Sequence, residues 1–338
     1  MNSNLNFDYV RAKDVQDAIS LLNKYGDESR IFAGGTEILV NIKQHAMSPK
    51  VLIDIKCISD LTYIKFEENN LKIGASTPLR MLENSVEVRD SYPSILEAVK
   101  SIGTVQIRNM GTVGGNICQT VKCPYYNQSH INLFMRQSIA PCRQRGGSIC
   151  HAAKVDSWNH AILGKPVNGC VATTASDLST PLIALGASVK AVGGKGDRVI
   201  PIEDFFLGGG KTALQENEIL VELEIPFVPG KPISKYGKYS HGTRNFSILN
   251  AAVLLWLSPD KKRCKDARIA MGGIRPVPFR LKSVERAIKD TKDPLSQIRV
   301  AFEDEMKGVR IRGEQSKYKR TRAETMITDI IHSLLQTR

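Results

Sequence analysis

Two glycine-rich turns constrain this chain of 338 residues more than any other feature of its sequence. The first is Ala33-Gly34-Gly35-Thr36-Glu37, and the second is Gly111-Thr112-Val113-Gly114-Gly115-Asn116. Adjacent glycines let a backbone come close to a pyrophosphate and form an anion-binding nest of N–H groups. Neither turn has the Walker sequence or the G-x-G-x-x-G dinucleotide fingerprint. The pair predicts a different kind of diphosphate cradle, with hydroxyl and amide side chains beside the glycines.

The second constraint is a group of cysteines that follows the second turn. Five of the seven cysteines lie between positions 118 and 170: Cys118, Cys123, Cys142, Cys150 and Cys170. Where disulfides do not form, clustered thiols indicate a metal centre or catalysis. The last four have the spacing C-x18-C-x7-C-x19-C, which is not that of a zinc ribbon. Four thiolates suit either a structural zinc ion or a [4Fe–4S] cluster, and spacing alone leaves both open.

Composition narrows the functional class. Apolar content of 42% and charged content of 24% are ordinary for a globular protein of two or three domains. We find neither a secretory pattern nor an apolar run long enough for a bilayer, and we expect a cytoplasmic protein with no membrane partner. The net charge of +13 favours an acidic partner or a solvated basic face. Nucleic acid is not expected, because the basic residues lack interleaved aromatics and match no nucleic-acid-binding motif.

Hydrophobic periodicity predicts alternating helices and strands with a boundary near residue 230, where Pro226, Pro229-Gly230 and Pro232 follow one another. Helices are predicted over 14–25, 38–44, 77–84, 94–102, 177–185, 280–288 and 320–335. Strands are predicted over 30–33, 51–55, 61–66, 71–75, 188–192, 218–225, 234–239, 248–257 and 264–271. Residues 118–169 have weak periodicity, and a bound cofactor would be one way to order so long a loop.

The turns resemble the two pyrophosphate loops of the FAD-binding medium subunits of molybdenum hydroxylases, the group that includes xanthine dehydrogenase and carbon monoxide dehydrogenase. The similarity continues through Ser176-Asp177-Leu178 and the run from Ala267 to Gly273, and it ends at Ser316-Lys317-Tyr318-Lys319-Arg320. It therefore covers nearly the whole chain. One departure is Glu37, where aspartate is usual.

The resemblance implies an α+β fold: a two-subdomain FAD-binding domain of the PCMH type, then a C-terminal domain of a three-stranded sheet plus helices. The implied segments are 1–58, 59–228 and 232–338, with a cysteine-rich insert at about 118–170. The residues implied to bind FAD are Ala33, Gly34, Gly35, Thr36, Glu37, Ile38, Gly111, Thr112, Gly114, Gly115, Asn116, Asp177 and Lys238. Among these, Asp177 would contact ribityl or ribose hydroxyls, and Lys238 would lie near the flavin ring.

The insert resembles that of the β subunit of 4-hydroxybenzoyl-CoA reductase, which carries an additional [4Fe–4S] cluster. The matching segments are 116–128, Cys142 and 146–151. This resemblance implies that Cys123, Cys142, Cys150 and Cys170 are the ligands. The gap before Cys170 is longer than in the reductase, so Cys118 stays open as the fourth ligand. His151 and His160 are possible substitutes, although histidines in so polar a loop are expected to be solvated.

The resemblance implies an electron-transfer subunit with no substrate chemistry of its own. Its implied partners are a molybdopterin-containing large subunit, a small subunit with [2Fe–2S] clusters, and a ferredoxin or similar acidic carrier. Two alternatives remain: a stand-alone FAD reductase of the UDP-N-acetylenolpyruvoylglucosamine type, and a xanthine- or aldehyde-type FAD subunit whose cysteines hold a structural metal. A third, less favoured alternative is a basic binding protein held together by zinc. Neither the substrate nor the direction of electron flow follows from the sequence.

Overall fold

The computed structural model describes residues 6–127, 140–260 and 263–336, and these form an α+β structure built around three main sheets. A small parallel sheet comes first, with strand order β1-β3-β2. Its strands are β1 (Asp8–Arg11), β2 (Ser29–Phe32) and β3 (Val51–Asp54). Helix α1 (Val15–Tyr25) and helix α2 (Ile38–Lys43) connect them. The first glycine turn therefore joins the end of β2 to the start of α2.

The second sheet is antiparallel, with strand order β4-β5-β10-β6-β7. Its strands are β4 (Ile64–Glu67), β5 (Asn70–Gly74), β6 (Ser188–Gly193), β7 (Gly196–Pro201) and β10 (Glu218–Pro226). A separate hairpin pairs β8 (Phe206–Gly208) with β9 (Lys211–Thr212). The helices of this region are α3 (Leu79–Asn84), α4 (Val86–Ser91), α5 (Pro93–Ser101), α6 (Val105–Met110), α7 (Val113–Ile117), α8 (Ser179–Leu185) and α9 (Ile202–Phe205). The second glycine turn runs directly into α7.

The third sheet is antiparallel and lies in the C-terminal region, with strand order β11-β12-β13-β14. Its strands are β11 (Ile233–Tyr239), β12 (Leu249–Leu257), β13 (Cys264–Gly272) and β14 (Phe279–Arg280). The sequence predicts three of them, and the two-residue β14 was missed because it is too short to show an alternating pattern. The helices are α10 (Lys282–Ile288), α11 (Pro294–Glu305) and α12 (Glu314–Gln336).

Shared hydrophobic clusters hold the three sheets together. One cluster joins the second sheet and its helices to Ala252 and Ala270 of the third sheet. Another joins α1 and the first sheet to Val192 and Ile219 of the second. Strand β12 is buried along most of its length, as expected for a strand with packed elements on both faces. None of the helices in the described ranges, including the long α12, combines the length and apolar character needed to span a bilayer.

Candidate functional site

A cavity of about 630 Å³ lies between the first sheet, the second sheet and strand β11. Its volume is within the ~300–1,000 Å³ typical of small-molecule sites. Every residue predicted from the family resemblance to bind FAD lines this cavity: Ala33, Gly34, Gly35, Thr36, Glu37, Ile38, Gly111, Thr112, Gly114, Gly115, Asn116, Asp177 and Lys238. The fold therefore brings together residues that are up to about two hundred positions apart in the sequence.

The first turn presents unused backbone donors to this cavity. In the described part of the chain, no hydrogen bond uses the backbone N–H groups of Gly34, Gly35 or Thr36. Gly35 has a φ of +72°, a left-handed conformation that a side chain would strain. A Cβ on Gly34 would overlap the carbonyl oxygen of Met110, so the two turns approach each other through bare backbone. Adjacent N–H groups without partners are what an anion-binding nest requires.

The second turn uses its backbone donors differently. The N–H of Val113 donates to the Thr77 carbonyl, and that of Gly114 donates to the Ala75 carbonyl. The N–H of Gly115 donates to Thr112 Oγ1 at 3.1 Å, which caps helix α7. The second turn thus forms a closely packed wall of the cavity. Within the described residues it keeps one backbone N–H without a partner, that of Thr112, whereas the first turn keeps three.

Lys238 lies on β11 and Asp177 lies just before α8, and their side chains bind each other across the cavity wall. Lys238 Nζ is 2.8 Å from Asp177 Oδ2. Asp177 also accepts hydrogen bonds from the Tyr236 hydroxyl at 2.8 Å and from Asn250 Nδ2 at 3.3 Å. Burial and the neighbouring Asp177 raise the pKa of Tyr236 well above its ordinary value, so the phenol stays a donor. The carboxylate is therefore held in a fixed position, with its charge compensated by the ammonium group.

Several lining residues were not predicted. The segment between β11 and β12 contributes Arg244, Asn245 and Phe246, and the start of α6 contributes Thr104 and Ile107. A basic side chain in the Gly242–Asn245 turn was a usable signal, because turns joining strands at a cavity commonly carry binding residues. The apolar residues of α6 gave no such signal, since any amphipathic helix shows them.

A second, small buried cavity lies beside the first and is lined by four of the clustered cysteines: Cys123, Cys142, Cys150 and Cys170. These are the four predicted ligands, and the fold places them together with apolar neighbours such as Val121 and Ala152. Within the described ranges, no group of three or more His, Cys, Asp or Glu side chains has an arrangement ready to hold a metal ion. All seven cysteines are free thiols. The ligand set thus stays a prediction.

The structure separates Cys118 from the other clustered cysteines. Its side chain lines the large cavity beside the second turn, whereas Cys170 lines the small cavity with the other three. Burial raises the pKa of both Cys118 and Cys123 to about 12, so neither is a reactive thiolate in the free protein. Of the two candidates for a fourth ligand, only Cys170 shares a cavity with Cys123, Cys142 and Cys150.

The two histidines of this region differ. His151 lines the small cavity, its Nε2 is 2.8 Å from the Ala140 carbonyl, and its ring stacks on Tyr125. His160 is 1% exposed, and its Nε2 is 3.4 Å from Cys123 Sγ. The expectation that His160 is solvated is therefore wrong. The expectation was based on the polar composition of the loop. A polar segment can still bury one of its side chains where it packs against a neighbouring domain.

A single strand-like segment separates the two cavities. Thr120 and Lys122 face the large cavity, whereas Val121 and Cys123 face the small one. Such alternation is that of an extended backbone, in which successive side chains point to opposite sides. Glu37 of the first turn fastens the segment: its carboxylate accepts hydrogen bonds from the Thr120 backbone at 2.7 Å and from Lys122 Nζ at 2.9 Å. The two cavities thus share a wall.

Comparison with known families identifies the class. Residues 5–228 match the family described as the FAD binding domain in molybdopterin dehydrogenase, and residues 235–334 match the CO dehydrogenase flavoprotein C-terminal domain. The chain therefore belongs to the FAD-binding subunits of molybdenum hydroxylase-type oxidoreductases. The α+β fold and its two successive domains, predicted from the resemblance, are confirmed. A match over both domains favours a medium subunit over a stand-alone reductase.

Individual relatives support the same class. The glyceraldehyde dehydrogenase medium chain of Sulfolobus acidocaldarius is 26% identical over 282 residues, which cover 83% of this chain and 80% of that one. The carbon monoxide dehydrogenase medium chain of Afipia carboxidovorans is 28% identical over 273 residues, covering 81% and 76%. The solved carbon monoxide dehydrogenase of Hydrogenophaga pseudoflava superimposes with a TM-score of 0.74 at 26% identity, and the match covers 97% of each chain.

Proposed function

We propose that this chain relays electrons through two adjacent cofactors, FAD in the large cavity and a [4Fe–4S] cluster at the small one. The observation that carries the proposal is the shared wall, in which Lys122 faces one cavity and Cys123 faces the other. A flavin exchanges one or two electrons and an iron–sulfur cluster exchanges one, so neighbouring sites for both would serve as a relay. The protein fixes their separation and their exposure to water.

The residues of the large cavity fit FAD. The unused amides of Gly34, Gly35 and Thr36 would receive the pyrophosphate. Asp177, already oriented by Lys238 and Tyr236, would face the hydroxyl groups or the ring side of the dinucleotide. Gly34 fits because a Cβ there would overlap the Met110 carbonyl and force the turns apart.

The residues of the small cavity fit an iron–sulfur cluster in their chemistry. Four sulfurs line it and its neighbours are largely apolar, conditions in which thiolates favour zinc or iron–sulfur centres. Cys123, Cys142, Cys150 and Cys170 would supply the thiolates. Burial raises the pKa of Cys123 in the metal-free protein, and a metal would lower it by binding the deprotonated sulfur. Because the insert resembles that of the β subunit of 4-hydroxybenzoyl-CoA reductase, we propose a complex of that type.

The partners of the complex follow from the family. A large molybdopterin-containing subunit would carry out the substrate chemistry, and a small subunit with [2Fe–2S] clusters would connect it to FAD. The net charge of +13 favours an acidic external carrier such as a ferredoxin, because opposite charges accelerate encounter. Because clustered thiols that do not pair as disulfides are typical of reducing compartments, we propose a cytoplasmic location.

Metal and flavin analysis of the purified protein tests the proposal. We expect one FAD and about four irons per chain, with the visible absorbance of both cofactors. Cys142→Ser should remove the iron and leave FAD bound, because Cys142 lines only the small cavity. Cys57→Ser is a matched control, since Cys57 is exposed and belongs to neither cavity.

Three results would contradict parts of the proposal. Zinc in place of iron would leave a flavoprotein with a structural metal, the xanthine- or aldehyde-type alternative. Unchanged iron in Cys142→Ser would refute the ligand set. A colourless protein without flavin would refute the assignment of the large cavity.

A further inference from the structure

We propose that His160 is a positioning residue that donates a hydrogen bond from Nε2 to Cys123 Sγ and thereby raises the reduction potential of the neighbouring iron–sulfur cluster. This inference rests on the proposed function, because it requires the cluster. It adds a side chain outside the four sulfurs and assigns it a role that the resemblance does not imply.

His160 is a buried ring with one polar partner, the sulfur of Cys123. Nε2 lies 3.4 Å from Cys123 Sγ, a normal distance for a hydrogen bond to sulfur. The other ring nitrogen, Nδ1, is buried and has no partner in the described part of the chain. The ring is 1% exposed, so water does not compete for Nε2. Among the ring's two nitrogens, only Nε2 has a place to donate a proton.

The backbone of His160 is fixed from two sides. It forms a β-bridge with Ala172, two residues beyond Cys170, so the histidine lies opposite the segment that carries a predicted ligand. Lys319 of α12 donates from Nζ to the His160 carbonyl at 3.0 Å and to the Trp158 carbonyl at 2.8 Å. Lys319 is fully buried, so this anchor is shielded from solvent. The C-terminal domain thus holds the histidine against the sulfur.

The neighbours of the ring offer a ring proton one acceptor. Nδ1 is buried without a partner in the described part of the chain, and Lys319 Nζ donates to the backbone carbonyl of His160. A cluster-bound thiolate only accepts hydrogen bonds, which directs that proton to Nε2. A hydrogen bond to a ligand sulfur stabilises the more negative, reduced state, and hydrogen bonds to the sulfurs are a main determinant of cluster potentials.

The test compares His160→Phe and His160→Gln with the wild-type complex by redox titration of the cluster, followed by electron paramagnetic resonance. We expect His160→Phe to shift the midpoint potential to a more negative value with iron content retained. Gln can place an amide N–H near the position of Nε2. The midpoint potential of His160→Gln should therefore stay closer to that of the wild type than the potential of His160→Phe. His332→Phe is the control, because His332 is exposed on α12 and lines neither cavity. Its potential should stay near that of the wild type.

A measurement on the wild-type protein does not depend on how the variants fold. With ¹⁵N-labelled histidine, pulsed electron paramagnetic resonance of the reduced cluster should show a weak nitrogen coupling, as expected for a donor outside the coordination sphere. A strong coupling would mean that His160 is itself a ligand, and no coupling would mean that the contact is absent; each result overturns the inference. Equal potentials in His160→Phe and wild type would also overturn it. Absence of iron from the wild type would refute the proposed cluster itself, and iron analysis distinguishes that failure.

Discussion

The two cavities share a wall but are built in different ways. The large cavity is shaped by backbone: glycines bring two turns together, and the amides of Gly34, Gly35 and Thr36 face inward without partners. The small cavity is shaped by side chains, four of them cysteines, and the described residues around it include short 3-10 turns at Arg143–Arg145 and His151–Lys154. The large cavity depends on the course of the backbone, whereas the small cavity depends on which side chains the fold brings together.

This difference predicts how each site should respond to change. A backbone site depends on the absence of a Cβ, and it is preorganised because sheets and helices hold its turns. A thiolate site gains much of its order from the metal that it binds, since metal binding is coupled to local folding. Glycine substitutions should therefore damage the first site, and cysteine substitutions should damage the second.

The largest effects are expected from a pair of glycine substitutions. Gly34→Ala should abolish FAD binding, because the new Cβ would overlap the Met110 carbonyl. Gly147→Ala should abolish iron binding but retain FAD, because its Cβ would overlap the Pro141 carbonyl beside Cys142. Absorbance of bound flavin and iron analysis measure the two outcomes. Gly194→Ala is the control, since its Cβ would meet no atom closer than 3.7 Å. Loss of both cofactors in either variant would show that the cavities are not separate sites.

A pair of cysteine substitutions sharpens the comparison by asking which cavity each thiol serves. Cys170→Ser should lower the iron content to well below half of the wild-type value, because Cys170 lines the small cavity. Cys118→Ser should retain iron, because Cys118 lines the large cavity. Iron analysis and the electron paramagnetic resonance spectrum of the reduced cluster measure the two outcomes. The reverse result would make Cys118 the fourth ligand.

A smaller effect is expected from Lys319, the buried lysine that donates to the backbone of His160 beside the small cavity. Burial lowers the pKa of Lys319 to about 7 from 10.5, so the folded chain binds fewer protons than the unfolded chain between these values. The contribution of Lys319 to stability therefore rises with pH from about 7 to 10.5. Across that window, the free energy of unfolding should rise by on the order of 5 kcal/mol more in wild type than in Lys319→Met.

Urea denaturation at several pH values measures this difference. Lys317→Met is the control, since Lys317 lies two positions away on the same helix with an exposed side chain. Parallel pH profiles for wild type and Lys319→Met would show that the ammonium is not buried in solution.

The smallest effect is expected from Glu37, which binds the segment that forms the shared wall of the two cavities. Glu37→Asp shortens the side chain by one methylene, so its hydrogen bonds to Thr120 and Lys122 should weaken or break. Each lost bond costs about 1 kcal/mol, so FAD affinity should fall by roughly 30-fold at most. Hydrogen exchange of residues 118–123 should increase. The control is Glu216→Asp at an exposed position. Unchanged exchange would mean that Glu37 does not fasten the shared wall.

Much of the large cavity could be predicted from sequence, because its residues lie in short motifs whose backbone requirements are local. The small cavity was predictable only as a list of thiols. The burial of His160, its contact with Cys123 and the separation of Cys118 from Cys170 could not be predicted, since they depend on how α12 and the insert pack. Helix α11 was also missed, because its pattern of buried residues is sparse: Pro294, Ile298, Ala301 and Phe302.

The sequence by itself determined the two glycine turns, the number and order of the thiols and the class of fold, because each follows from residue types that the backbone or a metal requires at fixed local positions. The tertiary structure decided which cavity each of the clustered thiols faces, which turn keeps more of its amides free, and which histidine contacts a sulfur. These depend on contacts between residues far apart in the chain, such as Cys123 with His160 and Glu37 with Thr120, and only packing of the domains brings them within hydrogen-bond distance.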